Sequence, residues 1–313
     1  VTSLFRFARV AKRLSMFYFR HALTTIQFNL FKSVEGQTAM LTKDQLEQYH
    51  KDGYVIVEQL FDEEETALML EISIADQALA AAAKTLDEMD NTQKQAARVV
   101  ALGDNAGGES TFWVDDDLGD DMYSAISQCR RIVDPLEQML DGEVYHWHHK
   151  MMLKDAHTGG AFLWHQDFGY WQPKGYCLFP FMASCMIAVN RANIENGCLQ
   201  VLKGSHHIGL ITHIAVDSQN TADPELVAAA EERLPLVHLE LEPGSAVFFH
   251  ANLLHRSDKN LSDHPRRTLI CCYNAARNDP YRESHHARYQ PLEKLDDARV
   301  RELGKAQLQA MQA

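Results

Sequence analysis

No stretch of this chain is apolar for the ~20 consecutive residues that a membrane-spanning helix needs, so no segment reads as transmembrane. Positive charge is scarce: 30 Lys and Arg stand against 43 Asp and Glu, a net charge of −13. That deficit excludes general nucleic-acid binding, which needs a basic face. It also argues against a polyanionic substrate unless the pocket is locally basic. Cysteine is sparse at six residues, and none has the spacing of a metal finger. We read all six as reduced thiols of a cytoplasmic protein. Cys271 and Cys272 are neighbours on a strand and should point to opposite faces. Internal repeats and low-complexity linkers are missing too. At 313 residues and 46% hydrophobic, the chain is long enough to bury one large core. Nothing in the sequence sets the oligomeric state.

One local absence stands out. Residues 1–34 hold Arg6, Arg9, Lys12, Arg13, Arg20 and Lys32 and no acid at all. Residues 1–39 therefore read as a basic extension. It is either a targeting or membrane-surface segment, or the product of a start placed too far upstream of Met40. We expect residues 40–313 to form a single domain.

From Thr42 the signals are regular. Thr42 and Gln45 make a capping box, and Gly53 stops the helix. Tyr54-Val55-Ile56-Val57 is a β-branched strand. Asp62 and Glu65 cap a long helix to about Lys84. A second helix is expected over Thr92 to Leu102, a loop over Asp104 to Gly108, and one helix over Ser124 to Leu140. Strands follow near 144–154, 161–167, 182–190, 198–202, 235–241, 246–250 and 267–274, with a short helix near Pro224 to Glu232. The tail from Leu292 is a helical, mixed-charge stripe that packs on its own domain or on a second subunit. The fold class is an all-β core with flanking helices, and a jelly roll of about eight strands accommodates the count.

The chemistry sits in the second half. His165-Gln166-Asp167 closes the 161–167 segment. On a strand His165 and Asp167 face one interior and Gln166 faces away. Two imidazoles and a carboxylate can take one face of an iron(II) octahedron and leave three positions open. The third ligand is His255 or His250, which ends the apolar run Ala246 to Phe249. Arg266 and Thr268 share a face at the start of the last strand, where a guanidinium and a hydroxyl suit a carboxylate. Only one of Arg266 and Arg267 can face inward.

His165-Gln166-Asp167, Glu195-Asn196-Gly197-Cys198-Leu199, Lys203-Gly204-Ser205-His206 and His255-x-Ser257-x-x-Asn260 with Arg266 resemble the phytanoyl-CoA dioxygenase family in order and spacing. The likeness runs from about Leu41 to Tyr273. It implies a double-stranded β-helix, the cupin-like jelly roll. It also implies iron(II) held by His165, Asp167 and His255, with 2-oxoglutarate and O2 as co-substrates. Arg266, helped by Thr268 or Ser257, would hold the far carboxylate of 2-oxoglutarate. The reaction implied is hydroxylation of a C–H bond in a small molecule, with release of succinate and carbon dioxide. Asp167 supports hydroxylation, because related halogenases carry a small residue there. Trp171, just past the ligand pair, is the expected substrate contact, although the aromatic run Phe168 to Phe181 is equally readable as core. Two other readings use the same residues: a cupin-like isomerase or hydrolase with zinc or manganese, and a binding protein that kept the barrel.

Overall fold

The computed structural model describes residues 40–82, 99–103, 109–216, 219–284 and 286–312. The basic segment 1–39 lies outside them, as do residues 92–98 of the expected second helix. Helix α1 (Lys43–Asp52) starts as its sequence asks. The Thr42 hydroxyl accepts from Gln45 N–H at 3.2 Å and Gln45 Oε1 accepts from Thr42 N–H at 2.9 Å. It ends at Gly53, whose φ of 84° is open to glycine at little cost. Strand β1 (Tyr54–Val57) and helix α2 (Glu63–Ala82) follow. Next come strands β2 (Val99–Gly103) and β3 (Glu109–Asp115) and helices α3 (Met122–Gln128) and α4 (Arg130–Met139). Strands β4 (Val144–Lys154) and β5 (Phe162–His165) lead to helix α5 (Asp167–Gly175). Then come β6 (Met182–Ala188), β7 (Leu199–Leu202), β8 (His213–Val216), β9 (Gln219–Ala222) and helix α6 (Pro224–Glu231). The chain closes through β10 (Leu236–Leu239), β11 (Ala246–His250), β12 (His255–Ser257), β13 (Arg266–Ala275) and helix α7 (Ala298–Gln312).

The strands form three antiparallel sheets. The largest runs β1-β11-β6-β13-β4-β3-β2, the second β10-β7-β12-β5, and β8-β9 is a separate hairpin. Both faces of the β11-β6-β13 centre of the large sheet are buried. On one face Phe248, Cys185, Ile187, Leu269, Cys271 and Tyr273 pack against residues of α1 to α4 and α7. On the other, Val247, Phe249, Met186, Ile270 and Cys272 share a core with Leu199, Val201 and Leu239 of the second sheet. That is why β6, β11 and β13 read as unbroken apolar runs rather than alternating ones. Each fully buried Phe, Leu or Ile contributes about 1.5–3 kcal/mol through apolar burial. Cys271 and Cys272 do point to opposite faces, and all six thiols are buried and free.

Two expectations need correction, and two further features were not expected. Val99–Gly103 is a strand paired with β3, not the end of a helix; Val99 and Val100 are β-branched, and the β3 partner decides between the two states. Ser124 to Leu140 is two helices, because Cys129 leaves the helical region at ψ 145°. The hairpin β8-β9 was not foreseen. A register shift in the β4–β13 ladder pairs Cys272 with His148 and Tyr273 with His146, leaving Trp147 as the extra residue. The bulge lets Tyr145 and Trp147 reach the same inner core as Met152, which simple alternation forbids.

The tail covers its own domain. Val300 is fully buried, and Leu292, Leu295, Leu303 and Leu308 pack on the helix-side core. Among the described residues, no helix is long and apolar enough to cross a membrane.

Candidate functional site

β5 and β12 are adjacent antiparallel strands, and their register places His165 directly opposite His255. The strand ends at His165. Gln166 is extended at φ −116° and ψ 133°, and Asp167 is the first residue of α5 rather than a strand residue. A carboxylate is favoured there by the positive end of the helix. The turn still delivers the side chain to the expected place: ligand atoms of His165, Asp167 and His255 all lie within 4.8 Å of one another. The two imidazole centroids are 4.0 Å apart, and His255 Nε2 is 3.7 Å from Asp167 Oδ1.

The outward atoms of this trio are tied down. His165 Nδ1 lies 2.7 Å from Leu163 O and His255 Nδ1 lies 2.9 Å from Leu253 O. A carbonyl oxygen only accepts, so each Nδ1 carries the proton and each Nε2 keeps its lone pair for the interior. Asp167 Oδ2 accepts from the Ser184 hydroxyl at 2.9 Å, leaving Oδ1 toward the rings. Burial holds His165 well below its ordinary value, with the neighbouring His255 adding to the effect. Burial also lowers His255, against the opposing pull of Asp167. Both rings are therefore neutral at pH 7, the form that binds a metal. The donor set, two neutral nitrogens and one oxygen, suits iron(II) with open positions.

The trio lies on the wall of a cavity that also takes in Lys150, Phe162, Phe249, Ser257 and Arg266. Arg266 is buried and donates through Nη1 to Gly197 O, while its Nε has no hydrogen-bond partner. Burial pushes its guanidinium down to about 10, with only the Cys198 thiol pulling the other way. Thr268 Oγ1 is likewise buried and unpartnered. Orphaned polar atoms of this kind are costly unless a ligand satisfies them. Ser257 Oγ accepts from Lys154 Nζ at 2.8 Å, so its own proton is left for a cavity acceptor. Lys154 also reaches Asp258 O at 2.5 Å and is fully buried.

The competing residues lie elsewhere. Arg267 is on the opposite face of β13, where Asp155 and Tyr123 are its electrostatic neighbours. His250 does not line the cavity; its Nδ1 accepts from Asn252 N–H at 3.0 Å and its ring is 5.3 Å from His206. Trp171 is 5% exposed and packs on His148 at 5.7 Å and Trp147 at 6.4 Å, within the core rather than on the cavity wall. Sequence reasoning passed over Lys150, Lys154 and Ser184. Strand alternation could have found the two lysines, since positions 150, 152 and 154 share the face of Met152. Ser184 carries no sequence signal. The Lys150 side chain has no hydrogen-bond or ion-pair partner among the described residues, and its charge bears on both His165 and His255.

With the geometry in place, comparison with known proteins agrees. A family model described as phytanoyl-CoA dioxygenase matches residues 49–268. The chain is 28% identical over 176 residues to L-proline trans-4-hydroxylase of Streptomyces griseoviridis, spanning 51% of this chain and 66% of that one. It is 26% identical over 256 residues to ectoine dioxygenase of Bordetella parapertussis, 78% of this chain and 79% of the relative. Among solved structures, EctD from S. alaskensis with 2-oxoglutarate and 5-hydroxyectoine superposes with a TM-score of 0.64 at 21% identity. That match covers 85% of this chain and 91% of the other and shows a shared fold.

Proposed function

Since the chain belongs to the phytanoyl-CoA dioxygenase family, we propose that it is an iron(II)- and 2-oxoglutarate-dependent dioxygenase. It hydroxylates a C–H bond of a small organic molecule and releases succinate and carbon dioxide. The observation that carries this reading is the juxtaposition of two features in one cavity. One is a trio of ligand atoms within 4.8 Å, both imidazoles presenting Nε2. The other is a buried guanidinium with an unpartnered Nε, on the strand face that it shares with the unpartnered hydroxyl of Thr268. A zinc isomerase or hydrolase needs the first and has no use for the second.

His165, Asp167 and His255 hold the iron. Bound iron(II) supplies activation of O2, coupled to oxidative decarboxylation of 2-oxoglutarate. Arg266, through its unpartnered Nε, would hold the far carboxylate of 2-oxoglutarate, and the hydroxyls of Thr268 and Ser257 would add donors. Ser184 keeps the second Asp167 oxygen occupied, so one oxygen would be left for a metal. Phe162, Phe249, Met186 and Ile270 keep the cavity wall apolar, which limits water around the reacting groups. Lys150 places a second positive charge in the cavity and favours an anionic or zwitterionic substrate; the relatives named for L-proline and ectoine act on small polar molecules of this kind. Trp171, packed on His148 and Trp147, serves as core behind the cavity rather than as a substrate contact. We assign the sheets to a double-stranded β-helix, and the six buried thiols to a reducing, cytoplasmic setting.

The test is anaerobic. Purified protein is given iron(II) and then 2-oxoglutarate, and the weak visible charge-transfer band of a chelated 2-oxo acid is recorded. Succinate is then measured on admitting air, with L-proline, ectoine and related small zwitterions as candidate substrates. A band with substrate-stimulated succinate supports the reading. Iron-loaded protein that gives neither band nor succinate sinks it.

A further inference from the structure

We infer that Gln166 and His213 are positioning residues that set the separation of His165 and Asp167 by clamping the peptide between them to the start of the β8-β9 hairpin. This rests on the iron site described above.

β5 is an edge strand of its sheet, and its last residue is a ligand. The chain must leave the sheet there and enter a helix one residue later. Such a junction has no ladder to hold it. Its N–H, on Gln166, instead donates to His213 Nε2 at 3.0 Å. His213 Nδ1 lies 2.9 Å from Ile211 O and so carries the ring proton, which leaves Nε2 as the acceptor. The hydrogen bond therefore fixes the peptide linking the two ligands.

The Gln166 side chain completes the clamp. It is fully buried. Its amide nitrogen donates to Gly209 O at 2.8 Å and to Asn252 O at 2.7 Å, and its oxygen accepts from Ile211 N–H at 2.8 Å. Both amide protons are used. One residue thus joins the first ligand pair, the Gly209–Ile211 segment, and the turn three residues before His255.

Gly169 makes room for this. A Cβ built there meets the His213 ring at 2.1 to 2.4 Å, so any side chain at this position pushes the imidazole away from the first turn of α5. The hairpin has further ties to the same segment. Thr221 Oγ1 donates to Trp164 O at 2.7 Å, Gln219 bridges Ala161 O and Leu163 N–H at 2.9 and 3.0 Å, and Tyr170 donates from its hydroxyl to Asn220 O. The hairpin is hence bonded directly to the strand that ends in His165.

The test uses the full-length protein and cobalt(II) as a spectroscopic probe of the iron site. Wild type, His213→Phe, His213→Gln and Gly169→Ala are compared by thermal melting, cobalt(II) affinity and the cobalt d–d spectrum. Phenylalanine keeps a ring and loses the acceptor; glutamine keeps an acceptor near the Nε2 position. The expected result is a folded His213→Phe variant with cobalt(II) affinity down by about ten- to a hundred-fold and a shifted d–d envelope. Gly169→Ala should reproduce it, and His213→Gln should restore most of the affinity. A Gly169→Ala/His213→Phe double variant, made alongside, should be no weaker in metal binding than His213→Phe alone. A folded His213→Phe variant with wild-type affinity and spectrum overturns the inference. Wild-type protein that takes up neither cobalt(II) nor iron(II) overturns the metal site itself, a different and separable failure.

Discussion

His165 and His255 are direct partners across the β5–β12 ladder, and each ring is tied through Nδ1 to the carbonyl two residues before it in its own chain. The two ligands are thus held by the same local device, and Nε2 faces inward in both. Asp167 completes the trio from a helix and depends on Ser184 for its orientation. Ser184→Ala frees the second carboxylate oxygen. Iron(II) affinity should fall by about ten- to a hundred-fold, with the melting temperature little changed. Anaerobic titration of iron(II) checks this; unchanged affinity removes Ser184 from the account.

Arg266 and Arg267 separate by face. Loss of a charge-assisted, forked interaction costs about 1.5–3 kcal/mol, or roughly ten- to a hundred-fold in affinity. Arg266→Ala should raise the KM for 2-oxoglutarate by that factor, whereas Arg267→Ala should leave it within about two-fold of wild type. Steady-state kinetics with each variant decides. The reverse pattern would mean that β13 is registered one residue away from the arrangement described.

Acid should destabilise the metal-free protein through its buried histidines. Burial lowers His146 from 6.5 to about 3, with His149 adding repulsion. His250 is lowered to about 3 by burial and by the neighbouring His206, His207 and His50. The native state stays neutral while the unfolded chain takes up protons. Stability is therefore intact above the unfolded value and is lost as pH falls below about 6.5, by up to about 1.4 kcal/mol per pH unit for each such ring. Urea unfolding at pH 7, 6 and 5 should give a falling free energy. A flat profile would show that these rings are charged in the native state.

Glu65 holds two structures together. It accepts from Asp62 N–H at the start of α2, and it receives Arg131 through two bonds of 2.6 and 2.8 Å while only 1% exposed. Removing one partner of a buried pair strands the other, at about 3–5 kcal/mol. Glu65→Ala should lower unfolding stability by that amount. The KM for 2-oxoglutarate in the folded fraction should not move, since Glu65 is not among the residues lining the cavity. A selective loss of co-substrate binding would contradict the separation of scaffold from site.

By itself the sequence determined the donor set, the strand run that carries it and the helix starts. Those depend on short-range chemistry: residues two apart on a strand, a hydroxyl three residues from a glutamine, a glycine that accepts positive φ. His165, Asp167, His255 and Arg266 were legible for that reason; the ligand atoms of the first three lie within 4.8 Å of one another, and Arg266 lines the same cavity. Tertiary structure alone decided what depends on a partner strand or on a side chain arriving from far along the chain. Val99–Gly103 became a strand because β3 pairs with it, and the Trp147 bulge reassigned an inward face that periodicity gives to other residues. Asp167 could open a helix instead of ending a strand because Gln166, His213 and Asn252, separated by up to 86 residues, meet at the turn. Ser184 and Lys150 are ordinary residues in the sequence and acquire a place in the chemistry only because antiparallel registers bring them beside Asp167 and into the cavity.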